Sequence, residues 1–312
     1  MKNIYRSIAC SIVIILSLLM LLAGVSCKSN ESPTPIKEKT KSFIWKISSE
    51  TTSVYLLGSV HVASKDLYPL DSAIENAFTS AKYLVVEVNT NNISQDEAMQ
   101  LLVDYGLYAE GEMLSKHLPA DLYNKLQEQL QKFGINMALL DGYRPFVAYN
   151  MMSQLLLESL GYKFAYGIDL YFMDKADKSG KNILDLETAE YQMSLISSIP
   201  DEIMIDMIQY DIDNPELEKY LQELFTAWED GDVAEMEIIT FEALVQQPEL
   251  EPYYEMMYDQ RNLKMLEKIE EFLADDEIYF VVVGAGHLVG ENGLINLLKN
   301  KGYKVEQLYD SD

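Results

Sequence analysis

Thiols are almost absent from this sequence. Its 312 residues include two cysteines, Cys10 and Cys27, and both lie near the N-terminus. The rest of the chain therefore has no thiol for a disulfide bond, a cysteine nucleophile or a thiolate metal site. We expect a fold that is held together by its hydrophobic core alone.

Basic side chains are scarce as well. The chain has 24 Lys and Arg against 50 Asp and Glu, which gives a formal net charge of −26. A protein that binds nucleic acid needs a basic surface, so this composition argues against nucleic acid as a partner. It also argues against adhesion to anionic lipid through charge. We interpret the acidic surface as a source of solubility outside the cell.

Several common enzyme motifs are missing too. The sequence contains no Walker-type phosphate loop, no Gly-x-Ser-x-Gly turn, no His-Glu-x-x-His helix and no dinucleotide-binding glycine fingerprint. These absences argue against the enzyme classes that depend on those motifs. Histidine is rare, and the chain has three of them, at His61, His117 and His287.

The first 26 residues have the layout of a bacterial lipoprotein signal. Lys2 and Arg6 precede an apolar run over residues 8–22, and small residues lead into Cys27. This order is typical of a secretory signal whose removal leaves a lipidated cysteine, carrying palmitate or a similar chain, at the new N-terminus. The alternative is an uncleaved membrane anchor, although the run is short for a transmembrane helix. Both interpretations place the rest of the chain outside the cytoplasm, at the cell membrane or the outer membrane.

The remainder divides into a tether and a folded part. Residues 27–41 are polar, contain proline and lack apolar periodicity, which predicts a flexible tether. Residues 42–312 are expected to form an α/β domain, because strand-like and helix-like patterns alternate at both of its ends. The predicted strands cover residues 43–47, 53–57, 83–88, 182–187, 278–283 and 303–308, and the first two are expected to form a hairpin.

The two ends of this predicted domain have the same order of elements. Each has an apolar strand, a Gly-x-x-His loop, a helix and a second strand. This order predicts a central, mostly parallel sheet that is built from two β-α-β halves at the ends of the chain. The segment between them, about residues 94–273, is mainly helical and is interpreted as a large insertion.

The repeated loops supply the candidate site. His61 and His287 follow predicted strands, and residues just past the carboxyl ends of parallel strands converge on one crevice. The motif glycines Gly58, Gly284 and Gly286 would allow a sharp exit from the strand or a close approach of a ligand. Each histidine alone can equally be an ordinary loop residue, and it is the pair that indicates a site.

A carboxylate would complete this site. Glu87 ends an apolar strand, where an unpaired charge is costly. Two histidines and one glutamate form a known ligand set for divalent metals such as zinc, manganese or cobalt, with a position left for water. Such a site favours metal-assisted hydrolysis. Alternatively, Glu87 is a general base, or a strand end in an ordinary ion pair.

Other polar residues are weaker candidates. Glu187 ends the short middle strand and can point into the same crevice. Arg261 can pair with Glu187 or bind a substrate carboxylate, although taken alone it has the pattern of a helix-surface arginine. Asp169 is expected to cap a helix. His117 precedes a helix and is interpreted as structural or exposed.

An ordered set of motifs links the chain to a known family. The set begins with residues 43–45, 55–62 and 84–87, continues with 167–169, 186–188 and Gln192, and ends with 228–232, 261–262 and 283–290. In this order the motifs resemble those of the TraB/GumN family, which includes the animal Tiki proteins, and the resemblance covers about residues 43–308. One departure is Asn89, where many relatives have an acid, and it argues against a second carboxylate at that position.

The resemblance carries expectations of its own. It implies an α/β fold similar to erythromycin-esterase and haem-binding ChaN-like proteins, with His61, His287 and Glu87 as the active residues. Tiki proteins are described as metal-dependent, membrane-tethered proteases, and the bacterial members include proteins implicated in shutting down peptide pheromone signals. The resemblance therefore implies a metal-dependent hydrolase, of peptidase type, that acts on a peptide or protein. The alternatives are a non-catalytic protein that sequesters a peptide or a small ligand, and an esterase.

Replacing Cys27 with alanine tests the predicted lipid anchor. In cells fed a labelled fatty acid, the wild-type protein should carry the label and Cys27→Ala should lose it, because the lipid is expected on the thiol of Cys27. Cys10→Ala removes the other cysteine and should keep the label. Label that persists on Cys27→Ala would contradict the prediction.

Overall fold

A computed structural model describes residues 41–213 and 217–309. The predicted signal, the lipid-bearing Cys27 and all of the predicted tether except Lys41 lie outside this range, whereas Lys41 begins the first strand. Within the described ranges, no helix combines the length and the apolar character needed to cross a membrane.

The core of the fold is a six-stranded sheet with the order β4-β3-β5-β2-β1-β6. Its strands are β1 (Lys41–Ser48), β2 (Ser53–Ser59), β3 (Tyr83–Val86), β4 (Asn182–Asp185), β5 (Tyr279–Gly284) and β6 (Lys304–Tyr309). β2, β5, β3 and β4 run parallel to one another, and β1 runs antiparallel to both of its neighbours. The prediction of an α/β fold with a mostly parallel sheet is confirmed, as is the hairpin of β1 and β2.

α-Helices make up most of the described residues between β3 and β5. The described α-helices are α1 (Ser72–Ser80), α2 (Gln95–Gly106), α3 (Leu114–His117), α4 (Ala120–Lys132), α5 (Pro145–Ser159), α6 (Ile168–Ser179), α7 (Ala189–Ser198), α8 (Asp201–Asp213), α9 (Leu217–Glu229), α10 (Val233–Gln246), α11 (Glu251–Tyr254), α12 (Gln260–Leu273) and α13 (Leu294–Asn300). The middle segment also contributes β4 to the sheet. The description of the fold as two halves with an insertion stays a prediction.

The central strand explains why the sheet forms here. Every residue of β5 is buried, and the strand pairs with β2 on one side and β3 on the other. Its run of valines and aromatics suits a strand that is covered on both faces. The shorter edge strand β4 has no fully buried residue, and it pairs only with β3.

The last helical stretch of the middle segment is not one regular α-helix. A π-helical turn, Glu255–Asp259, separates α11 from α12. A π-turn holds an extra residue, so it rotates the helix that follows relative to the one before it. Both Tyr258 in this turn and Arg261 at the start of α12 are buried, and sequence periodicity alone does not reveal such a turn.

The N-terminus of α6 packs against the loop that carries His61. A side-chain carbon added to Gly167 would lie 2.3 Å from the backbone oxygen of His61, and the Ile168 amide donates to the Val60 oxygen at 3.1 Å. Only glycine permits this approach of two backbones. The loop of His61 is therefore fixed against α6.

Gly167→Ala should destabilise the protein because the new methyl group would overlap backbone that cannot move aside. We expect a loss of about 1–3 kcal/mol in the free energy of unfolding, measured by urea denaturation. Gly142→Ala is the control, since an added carbon there meets nothing within 4 Å, and its effect should stay within about 0.5 kcal/mol. Equal stabilities of the two variants would contradict the close approach.

Candidate functional site

Four sequence-predicted site residues lie at one edge of the sheet. His61 follows β2, Glu87 follows β3, Glu187 follows β4 and His287 follows β5. Because these four strands are parallel, their carboxyl ends meet at the same edge. Backbone bonding continues past two of them, since the Glu187 amide donates to the Glu87 oxygen at 2.8 Å. The structure therefore brings these side chains together.

Arg261 joins the two glutamates. Its Nη2 donates to Glu87 Oε2 at 2.5 Å and to Glu187 Oε2 at 2.7 Å, and its Nε donates to Glu187 Oε1 at 2.9 Å. The residue is 0% exposed, which corrects the interpretation of a helix-surface arginine. Its guanidinium is the bridge between the ends of β3 and β4, and burial between two carboxylates keeps it charged.

Glu87 has partners on both oxygens. Oε1 accepts the Gly284 amide at 2.7 Å, and Oε2 accepts Gln192 Nε2 at 3.0 Å in addition to Arg261. Burial alone would raise the pKa of Glu87, but Arg261, together with the two histidines and the Gly284 amide, lowers that pKa to about 2. Glu87 is therefore ionised in this arrangement.

His61 is held by an aspartate. Its Nδ1 lies 2.7 Å from Asp169 Oδ2, and Ser59 Oγ donates to Asp169 Oδ1 at 2.9 Å. Burial acts to lower the pKa of His61, but the charge and hydrogen bond of Asp169 outweigh it, and the pKa lies above its usual value. The prediction of Asp169 as a helix cap is wrong: α6 begins after Gly167 without a side-chain cap, and the carboxylate turns to His61 instead.

His287 is held by an amide. Its Nδ1 lies 2.7 Å from Asn262 Oδ1, and the orientation of Asn262 is fixed because its Nδ2 donates to the Asn292 oxygen at 2.9 Å. An acceptor at Nδ1 places the proton there and leaves the lone pair on Nε2, which lies 3.9 Å from Glu87 Oε1. Burial and then Arg261 lower the pKa of His287 to about 3, so this imidazole is neutral.

The motif glycines serve packing and hydrogen bonding. Gly58, Gly284 and Gly286 all have negative φ, so the structure does not use the left-handed freedom of glycine at these positions. A side-chain carbon on Gly58 would lie 2.5 Å from the Phe43 ring, and one on Gly286 would lie 2.8 Å from the Tyr258 ring. Tyr258 in turn packs against His287, with ring centroids 5.3 Å apart.

The donor chemistry of the site fits a divalent metal ion. An oxygen acceptor at Nδ1 of each imidazole is the usual way in which proteins orient metal-binding histidines. The buried set has more negative than positive charge, because three carboxylates, Glu87, Asp169 and Glu187, are balanced by the one guanidinium of Arg261. As they are placed, however, the described residues include no group of three or more His, Cys, Asp or Glu side chains that could hold a metal ion.

A cavity of about 170 Å³ opens beside the site. Its polar lining residues are His61, Glu87, Thr90, Asn91, Asp169 and Gln192. His287, Arg261 and Glu187 are absent from its wall, so they lie behind Glu87 as seen from the cavity. A ligand would therefore reach His61 and Glu87 first.

His117 lies apart from the site, on the surface, where it stacks on Tyr108 at 4.6 Å and contacts Glu112 at 3.0 Å. Asn89 donates its backbone amide to Asp185, and its Oδ1 accepts the Asn91 amide at 3.2 Å. It therefore shapes the turn after β3.

Sequence reasoning assigned no role to Asn262 or Gln192. Both belong to the ordered motifs. Asn262 directly follows Arg261 and Gln192 lies shortly after Glu187, and this position beside candidate residues was the signal that could have identified them. Their contacts with His287 and Glu87 depend on how α7 and α12 pack, which a single sequence does not show.

Comparisons with known proteins agree with the motif pattern. A model of the TraB/PrgY/gumN family matches residues 43–307. The uncharacterized protein YbaP of Escherichia coli (strain K12) is 24% identical over 248 residues, which cover 78% of this chain and 87% of that protein.

Animal relatives are named as metalloproteases. "Metalloprotease TIKI homolog" of Amphimedon queenslandica is 22% identical over 323 residues, covering 86% of this chain and 61% of that protein. "Metalloprotease TIKI1" of Xenopus tropicalis is 21% identical over 341 residues, covering 92% of this chain and 66% of that protein. The match therefore spans less than two thirds of these animal proteins, and at this identity it indicates a distant link to peptidases.

Arg261→Met should destabilise the protein strongly, because it leaves two buried carboxylates without their counter-charge. We expect a loss of about 3–5 kcal/mol in the free energy of unfolding at neutral pH, or failure to fold. Arg144→Met is the matched control, since Arg144 pairs with Asp201 at 2.8 Å but is partly exposed, and its loss should cost about 1 kcal/mol. Similar losses in urea denaturation would show that the buried network contributes no more than a partly exposed pair.

Proposed function

The chain belongs to the TraB/PrgY/gumN family, and from this premise we propose that it is a membrane-tethered hydrolase that acts outside the cytoplasm, with peptides as substrates. One observation carries the proposal. His61 and His287, from opposite ends of the chain, lie at one sheet edge with Glu87, and each is held by an oxygen at Nδ1. The animal relatives named as metalloproteases support the same class of chemistry.

We propose that His61, His287 and Glu87 hold a divalent metal ion such as zinc, manganese or cobalt. Such an ion, when bound, would activate a water molecule and polarise a carbonyl group. Its charge would offset the excess of carboxylates in the buried set. Glu87 would serve as a ligand, since the donors Arg261, Gln192 and the Gly284 amide favour its ionised form.

The remaining residues position these groups. Asp169 and Asn262 fix the rings so that Nε2 of each imidazole keeps its lone pair. Arg261 fixes Glu87, and Glu187 balances the charge of Arg261. Because Arg261 is buried away from the cavity, we assign it and Glu187 a positioning role rather than contact with substrate.

Gln192 is the residue best placed to bind a peptide backbone. Its Nε2 donates to both Glu87 at 3.0 Å and Glu187 at 2.9 Å. With both amide hydrogens occupied, its carbonyl oxygen remains as an acceptor. Since Gln192 lines the cavity, we propose that this oxygen accepts a backbone N–H of the substrate.

The location of the protein is part of the proposal. A lipid on Cys27 would hold the chain at the outer face of a membrane, and the acidic surface would keep it away from anionic headgroups. The substrate is then a secreted or surface-exposed peptide or protein.

The histidines allow a matched test. The purified full-length protein in detergent should cleave members of a fluorogenic peptide library, and a chelator should remove this activity reversibly. His61→Ala and His287→Ala should each lower kcat/KM by about a hundredfold or more, because each removes a proposed metal ligand. His117→Ala, which alters the exposed third histidine, should leave kcat/KM unchanged.

Other outcomes would contradict the proposal in different ways. Cleavage that survives both substitutions would place the chemistry elsewhere. Peptide binding without product, insensitive to chelator, would indicate a sequestering protein. Hydrolysis of esters but not of peptides would indicate an esterase.

A further inference from the structure

The cavity beside His61 and Glu87 has an apolar part that the proposed chemistry does not use. It is formed at the end of β3, in the turn before α6 and along one face of α6, by Val86, Val88, Phe164, Leu170 and Met173. Val86, Phe164 and Met173 are buried members of the main hydrophobic core. This part of the wall is therefore preformed, as in most small-ligand sites.

The charged groups that reach the cavity already have partners. Asp169 accepts from Ser59 and lies against His61, and Glu87 accepts from Arg261, Gln192 and the Gly284 amide. No lysine or arginine belongs to the described cavity wall. An anionic ligand group would lose its water there and gain no counter-charge, and a cationic group would have to compete with the partners that Glu87 and Asp169 already have. An apolar group would be removed from water at no such cost.

The size of the cavity sets the size of the group. Its volume of about 170 Å³ is close to the roughly 150 Å³ of an apolar protein cavity that holds benzene. A leucine, methionine or phenylalanine side chain fits this space. An alanine side chain would leave most of it empty.

We propose that this cavity is the subsite for one uncharged, apolar side chain of the substrate, of about the size of leucine to phenylalanine. Because its wall is continuous with His61 and Glu87, the side chain would flank the bond that is cleaved. That the bound molecule is a substrate rests on the proposed function, but binding of its side chain in the cavity does not require hydrolysis.

Leu170 offers a direct test. It is partly buried and lines the cavity, so Leu170→Trp should fill the space. We would measure binding of N-acetyl-leucinamide, N-acetyl-phenylalaninamide, N-acetyl-lysinamide and N-acetyl-aspartamide to the full-length protein in detergent, by ligand-detected NMR. Leu263→Trp is the control, since Leu263 is 54% exposed and lies away from the cavity wall.

The wild-type protein and Leu263→Trp should bind the two apolar amides at least about tenfold more tightly than the charged ones. Leu170→Trp should abolish this preference. Leu170→Ala, which enlarges the cavity and remains informative if the tryptophan variant does not fold, should improve binding of the phenylalanine amide relative to the leucine amide. Equal binding of charged and apolar amides, or a preference that neither Leu170 variant changes, would overturn the proposal.

A cleavage assay on the same preparations separates the two proposals. Binding that depends on Leu170, without cleavage of any peptide, would retain the subsite and contradict the hydrolase. Cleavage of peptides without preference for an apolar residue beside the cleaved bond would retain the hydrolase and contradict the subsite.

Discussion

The site depends on one buried interaction, the guanidinium of Arg261 between the carboxylates of Glu87 and Glu187. Charges without water are stable only where their partners are well placed, so this triad holds the ends of β3 and β4 and the start of α12 in one arrangement. Gln192 reinforces it by donating to both glutamates. The consequence is that Glu87 stays ionised beside His287 in a region that would otherwise favour a neutral carboxyl.

The two histidines differ in what holds them. His61 is backed by the carboxylate of Asp169, and its pKa is raised despite burial. His287 is backed by the neutral amide of Asn262, and burial lowers its pKa to about 3. A carboxylate hydrogen-bonded to an imidazole makes the ring a stronger electron-pair donor to a metal ion, whereas an amide fixes the tautomer of the ring without adding charge. The pair thus combines His61, which is hydrogen-bonded to a carboxylate and borders the cavity, with His287, which is hydrogen-bonded to an amide and lies behind Glu87.

Much of this architecture follows from local sequence. Apolar strands that end in Gly-x-x-His or in glutamate predict where the sheet is, and parallel pairing then requires His61, Glu87 and His287 to share an edge. The partners of these residues do not follow from local sequence. Asp169 has the pattern of a helix cap and Arg261 that of a surface residue, and the π-turn before α12 has no signature in apolar periodicity. Their roles come from packing between segments that are far apart in the chain, and such packing cannot be predicted from the local patterns of a single sequence.

The central claim is that both imidazoles and Glu87 form one metal-binding site. The most direct measurement is anomalous X-ray diffraction from crystals of the full-length protein grown with manganese or zinc. The claim predicts one anomalous peak within about 2.0–2.2 Å of Nε2 of His61, Nε2 of His287 and a carboxylate oxygen of Glu87. An ion bound only elsewhere, or none at these three side chains, would contradict it.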